Sequence, residues 1–141
     1  MAKITDIGHV ALRTPDVERA LGFYAKLGIH EAFRLTRDDG SLILIYLHIA
    51  GDRFIELFPS DAASYDKSKT FFHLCLVVDD LKELVESLKA EGIPIDTDIK
   101  EGLDYNLQAW THDPDGNPIE FMQLSERSPQ RKKARGEQVN F

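Results

Sequence analysis

Four side chains in this chain are chemically out of character with the stretches that carry them. His9 and His73 each interrupt a largely apolar run, and Glu56 and Glu120 do the same within Phe-Ile-Glu-Leu-Phe (54–58) and Pro-Ile-Glu-Phe-Met (118–122). A carboxylate in the middle of an apolar strand is costly to bury unless it is paired or bound to a cation. Two imidazole nitrogens and two carboxylate oxygens together suit one divalent ion, whose charge the two anions balance. His9, Glu56, His73 and Glu120 are therefore the candidate metal ligands. The alternative is two buried His–Glu hydrogen-bonded pairs.

The four are related by an internal repeat, which fixes the architecture that must position them. A shift of 64 positions lays His9 on His73, Asp16 on Asp80, Gly28 on Gly92, Tyr46 on Trp110, His48 on His112 and Glu56 on Glu120, with no gap. The repeat implies an α+β fold of two βαβββ modules, spanning 4–60 and 71–124. A polar linker, 61–70, joins them, and a basic tail, 125–141, follows. In the first module, a strand over 4–13 leads to a helix with Thr14 as its N-cap and Pro15 in its first turn. Val17, Ala20, Leu21 and Tyr24 make that helix's apolar stripe, and Gly28 ends it. Strands over 31–37, 42–49 and 53–58 follow. The second module starts with the strand 71–78 and a helix capped by Asp80, with Glu83 at capping-box spacing. Residues 96–106 read as a mobile loop, and 107–112, the turn 113–116 and 118–124 as a closing hairpin.

Period-2 alternation sorts the faces. His9 lies with Arg13, Glu56 with Phe54 and Phe58, His73 with Cys75, and Glu120 with Met122; Phe72, Leu74, Leu76 and Val78 turn toward a helix. Each module then has one apolar face under its helix and a second face bearing one histidine and one glutamate. Two such curved sheets facing each other enclose a cavity for the metal. His48 and His112 also obey the repeat, but each sits at a strand end beside a turn, which suits a capping or surface role.

Composition narrows the setting. With 141 residues, 43% hydrophobic and 29% charged, the chain is globular and one domain's worth by length. No run approaches the roughly 18 apolar residues of a membrane span. The start, Met1-Ala2-Lys3-Ile4, lacks the apolar core of a secretory signal, so the expected location is cytoplasmic. The single cysteine, Cys75, reads as a small buried side chain in a reducing compartment. Of the net charge of −7, the tail contributes +3, from Arg127, Arg131, Lys132, Lys133 and Arg135 against Glu126 and Glu137, which leaves the body at −10. Such a tail reads as a solvated, flexible end. No basic face on the body accompanies it, so neither nucleic acid nor a membrane is an expected partner.

His9 in Gly-His-Val-Ala-Leu-Arg, Glu56 in Phe-Ile-Glu-Leu-Phe, His73 in Phe-His-Leu-Cys-Leu-Val-Val-Asp and Glu120 in Asp-Pro-Asp-Gly-Asn-Pro-Ile-Glu-Phe resemble the vicinal oxygen chelate superfamily. Within it they are most similar to short glyoxalase I (lactoylglutathione lyase) enzymes, over residues 4–124. Glu56 favours that subfamily, since fosfomycin-modifying and extradiol dioxygenase relatives use three protein ligands and methylmalonyl-CoA epimerase has Gln at this place.

The resemblance implies one divalent metal per site, Ni²⁺, Co²⁺ or Zn²⁺, and a small-molecule substrate, the hemithioacetal of a 2-oxoaldehyde. It implies proton transfer through an enediolate, with Glu120 as base and Glu56 as its partner, and a homodimer whose subunits share each site. Arg13 matches the arginine that holds a glutathione carboxylate, and Lys69 matches another basic contact. Asn106 stands where a basic residue is usual and Ser60 where an Asn is usual; Asn106 and Trp110 complete the candidate substrate contacts. The departures at Ser60 and Asn106 bear on the carrier half of the substrate. They leave open another reaction on the same scaffold, an epimerase or dioxygenase-like one, or a non-enzymatic module that sequesters a small molecule.

Overall fold

The computed structural model describes residues 1–26, 28–112 and 116–139. Three residues of the expected 113–116 turn lie outside these. By contacts the chain divides into two compact units, one of residues 9–72 and the other of residues 1–8 with 73–141. The first strand, β1 (Ile4–Thr14), contributes to both. The order continues with α1 (Val17–Lys26), β2 (His30–Thr36), β3 (Leu42–Ala50), β4 (Arg53–Pro59) and a 3-10 turn (Lys67–Lys69). It then runs β5 (Phe71–Val78), α2 (Leu81–Ala90), β6 (Thr97–Glu101), β7 (Leu107–His112), β8 (Pro118–Gln123) and α3 (Pro129–Ala134).

In the 9–72 unit β1 runs parallel to β4, with β3 and β2 added antiparallel outside it. In the other unit β5 runs parallel to β8, followed by antiparallel β7 and β6. The registers correspond residue by residue: Ala11 pairs with Glu56 and Tyr46 with Glu56 in one unit, Cys75 with Glu120 and Trp110 with Glu120 in the other. Each glutamate therefore sits in a strand flanked on both sides by partners that hold its position along the sheet.

Each helix covers the opposite face of its own sheet. Val17, Ala20, Leu21 and Tyr24 of α1 pack on Ile45, Leu47 and Leu57, and Leu81, Leu84, Val85 and Leu88 of α2 pack with Val78, Ala109 and Phe121. The carboxylate of Asp80 accepts from the backbone N–H of Glu83 at 3.1 Å. In α1 the cap is Asp16, which accepts from Arg19 N–H at 3.1 Å, and not Thr14. Thr14 Oγ1 instead accepts from Asp16 N–H at 3.2 Å, one step before the helix. Gly28 and Gly92, each at φ +78°, end their helices in the left-handed conformation that only glycine adopts without strain.

Two segments differ from expectation. Residues 97–101 form the edge strand β6 within the stretch expected as a mobile loop. Its lone apolar side chain, Ile99, packs into the α2 cluster, while Asp98 and Lys100 face solvent, the charged character that protects an edge. Residues 129–134, expected as part of a solvated, flexible end, form a helix with Pro129 at its first turn. Ser128, Pro129 and Gln130 are fully buried.

Candidate functional site

The sheet faces turned away from the helices carry the four candidate ligands. In the 9–72 unit, His9 on β1 and Glu56 on β4 meet with Nδ1 2.9 Å from Oε2. In the other unit, His73 on β5 and Glu120 on β8 meet with Nε2 3.2 Å from Oε2. All four residues are at most 5% exposed, so each carboxylate has given up water for an imidazole. Parallel pairing of the first and last strands of each unit brings about each meeting. It sets a histidine two residues before the register partner of its glutamate.

The donor types suit a divalent first-row ion. Each pair offers imidazole nitrogen and carboxylate oxygen and buries them in a setting where a carboxylate without a cation or donor is destabilising. Apolar and aromatic neighbours hold the pairs in place. The Trp110 ring stands edge-on to His73 at 4.7 Å between centroids, and its Nε1–H donates to Gln108 Oε1 at 2.7 Å. Cys75, Val77 and Met122 pack together along the same face of β5 and β8.

Arg13 and Lys69 are brought together. Both line a cavity of about 460 Å³ in the 9–72 unit, with Phe58, Ser60, Tyr65 and Phe72 also in its wall. The Arg13 guanidinium lies 3.9 Å over the centre of the Phe72 ring, and its Nη1 donates to the Phe71 carbonyl at 3.4 Å. The Arg13 backbone N–H donates to Thr70 O at 2.9 Å, which ties the strand to the connector. Lys69 Nζ stands 3.8 Å from the Asp66 carboxylate, and Ser60 Oγ is a buried atom with no hydrogen-bond partner among the described residues.

Phe72 is a residue that alternation misplaces. It lies at the start of β5, and its ring packs edge-on against Phe58 at 5.0 Å instead of joining the helix face. No sequence pattern announces this, because Arg13 and Phe72 meet only through the fold.

Asn106 is placed elsewhere. It is 1% exposed, and its amide nitrogen donates to Asp104 Oδ2 at 3.1 Å and to Gln130 Oε1 at 3.3 Å. Its Oδ1 accepts from Ser125 N–H at 2.9 Å. The side chain thus fastens α3 to the turn before β7, and a substrate contact there has to displace these partners. His48 Nε2 bonds the Gly51 carbonyl at 2.8 Å and His112 Nδ1 bonds Asp96 Oδ2 at 2.7 Å, both at strand ends.

Two βαβββ units, each presenting one buried His–Glu pair on its helix-free sheet face, define a duplicated α+β class of fold. The chain belongs to the glyoxalase/bleomycin resistance protein/dioxygenase superfamily, whose family model matches residues 6–121. It is 29% identical over 123 residues to the lactoylglutathione lyases of two Neisseria meningitidis serogroups, A and B, covering 82% of this chain and 88% of each relative. Among solved structures it shares its fold with methylmalonyl-CoA epimerase from Mycobacterium tuberculosis, at TM-score 0.71 and 22% identity over 88% of this chain and 91% of that one. It also matches homoprotocatechuate 2,3-dioxygenase from Arthrobacter globiformis, at TM-score 0.68 and 18% identity over 86% of this chain and 38% of that one. Among the described residues no helix is long and apolar enough to cross a membrane.

Proposed function

We propose that the chain is a metal-dependent isomerase or lyase of the glyoxalase I type, acting on the hemithioacetal of a 2-oxoaldehyde or a similar substrate with oxygens on adjacent carbons. The observation that carries this reading is the matched pair of buried His–Glu contacts, 2.9 Å in one unit and 3.2 Å in the other. His9, Glu56, His73 and Glu120 would hold one Ni²⁺, Co²⁺ or Zn²⁺. When bound, such an ion supplies the positive charge that makes a proton beside a carbonyl acidic. Glu120 takes that proton and returns it to the neighbouring carbon, with Glu56 as its partner on the other side. The apolar surroundings of the pairs exclude water, which keeps the abstracted proton from exchanging freely and strengthens each charge interaction. Arg13 and Lys69 bind an anionic group on the carrier, and the Ser60 hydroxyl adds a hydrogen bond beside them. Trp110 holds His73 and borders the substrate. The active species is a cytoplasmic homodimer in which the His9–Glu56 pair of one subunit works with the His73–Glu120 pair of the other.

The deciding experiment combines elemental analysis of the purified protein with a hemithioacetal isomerisation assay in deuterated solvent. Near-stoichiometric divalent metal and metal-dependent turnover are expected. Metal-free protein that stays inactive when Ni²⁺, Co²⁺ or Zn²⁺ is added defeats the reading. A second reading, epimerisation beside a thioester carbonyl, draws on Ser60 in the carrier cavity and on the internal commitment of Asn106. A panel of adducts with different carrier thiols separates the two.

A further inference from the structure

The helix-covered side of the 9–72 unit holds another cavity, of about 600 Å³, between α1 and the connector that precedes β5. Its wall includes Leu12 and Leu57, which belong to the α1 side of the sheet, so it opens on the face opposite the His9–Glu56 pair. Two aromatic rings reach into solvent at its rim: Phe23 is 58% exposed and Tyr65 40% exposed. Aromatic side chains bordering a concave surface, with a few polar groups converging on it, are the features of a ligand site. Arg19 lies four residues before Phe23, on the same side of α1, and Lys67 faces it from the connector, both exposed and both in the cavity wall. Arg13 adds a third cation. Among the described residues the one carboxylate in the wall is Asp16, which is already engaged as the cap of α1, accepting from Arg19 N–H at 3.1 Å. The cavity is therefore cationic and aromatic within a chain whose net charge is −7.

We propose that this cavity binds a planar aromatic group carrying an anionic substituent, of the kind a nucleotide presents. The ring lies against Phe23 and Tyr65, and the anion meets Arg19 and Lys67. Arg13 and Tyr65 line this cavity and the 460 Å³ cavity alike, so a long carrier anchored at Arg13 can continue over the connector into it. A free ligand of the same chemistry would use the same contacts. The proposal stands apart from the metal chemistry.

The test is a titration of the full chain with adenosine 5′-diphosphate, followed by backbone amide NMR shifts with excess chelator present. Saturable shifts confined to α1 and the connector are expected, and adenosine and inorganic phosphate each bind more weakly than the diphosphate. Arg19→Ala and Phe23→Ala, both solvent-exposed changes, should each weaken binding about fivefold or more with unchanged circular dichroism. If a thioester substrate with a nucleotide-bearing carrier is turned over, the same variants raise its KM and leave kcat alone. No saturation up to about 10 mM, which is weaker than millimolar binding, overturns the proposal. So does equal binding of inorganic phosphate, or a change of oligomeric state in Phe23→Ala without any change in binding. Because the titration is done without metal, loss of the metal chemistry leaves its outcome unaffected.

Discussion

Glu120→Gln keeps the volume and the reach of the side chain while removing its charge. In metal-free protein the amide still faces His73 Nε2, 3.2 Å away in the wild type, and a buried carboxylate has been removed. Stability should therefore stay level or rise. The metal-loaded state behaves differently. A ligand present at about a thousandfold excess over its Kd stabilises the folded state by roughly 4 kcal/mol, which for a chain of this size raises Tm by about 10 °C or more. Changes in groups that only support a ligand cost about 10–100-fold in metal affinity, so losing the ligand's own charge costs at least about 100-fold. At the same metal concentration the stabilisation then falls to about 1.4 kcal/mol, and most of the Tm rise disappears. Turnover should drop by about 10²–10⁴, the usual contribution of a positioned base. Differential scanning fluorimetry with and without Ni²⁺, Co²⁺ or Zn²⁺, alongside the isomerisation assay, reads both quantities. Should the variant keep the full metal-induced Tm rise and turn over within about threefold of wild type, Glu120 is neither ligand nor base.

Other perturbations probe the remaining parts. Mixing His9→Ala with His73→Ala subunits under exchange conditions should restore about one quarter of wild-type activity if each site is shared between subunits, because half the dimers are mixed and each carries one intact site; no restoration rejects the shared site. Gln130→Ala removes a fully buried partner of Asn106 and should cost about 1–3 kcal/mol in chemical denaturation, whereas a tail without structure would give no change. Asp80→Ala should cost about 1 kcal/mol through the lost cap, and Asp16→Ala a similar amount, while Thr14→Ala costs less. The Glu31 carboxyl is held below its ordinary pKa chiefly by the hydrogen bond from Arg34. Its contribution is present above the ordinary glutamate range and lost as pH falls through the lowered value. Arg34→Ala should thus reduce stability at neutral pH by well under 1 kcal/mol after solvent screening, and the difference should vanish in acid titrations followed by circular dichroism.

The strands and helices that bury a full apolar face were legible in the sequence, because burial on one side imposes a period. The strand at Phe71–Val78 and the Leu81–Leu84–Val85–Leu88 stripe are of this kind. β6 was not legible. An edge strand with one apolar side chain leaves almost no periodic signal, and it is paired on one side only, to β7. α3 escaped for another reason. Three basic residues dominate its composition, while the contacts that hold it run through Gln130, Asn106 and Ser125, polar residues whose burial no hydropathy pattern reveals. At the site, each histidine could be matched to its glutamate because the 64-residue spacing placed them in equivalent strands. The position of Phe72 could not be read, since alternation weakens at a strand's first turn of chain, where the neighbouring element decides which way a ring lies.

The division of β1 between the two units has a consequence for biosynthesis. Residues 9–72 are continuous, so that unit has all its parts once its last residue has left the ribosome. The other unit needs residues 1–8, made before that stretch, together with residues from 73 onward, made after it. Lys3, for example, exchanges hydrogen bonds with Asp79. The opening segment must therefore wait, unsheltered, through synthesis of residues 9–72 before its partners exist. Closing so long a loop is the slow kind of step in folding. Exposed Ile4 and Ile7 make that waiting segment the place where a nascent chain is most open to chaperones and to wrong partners.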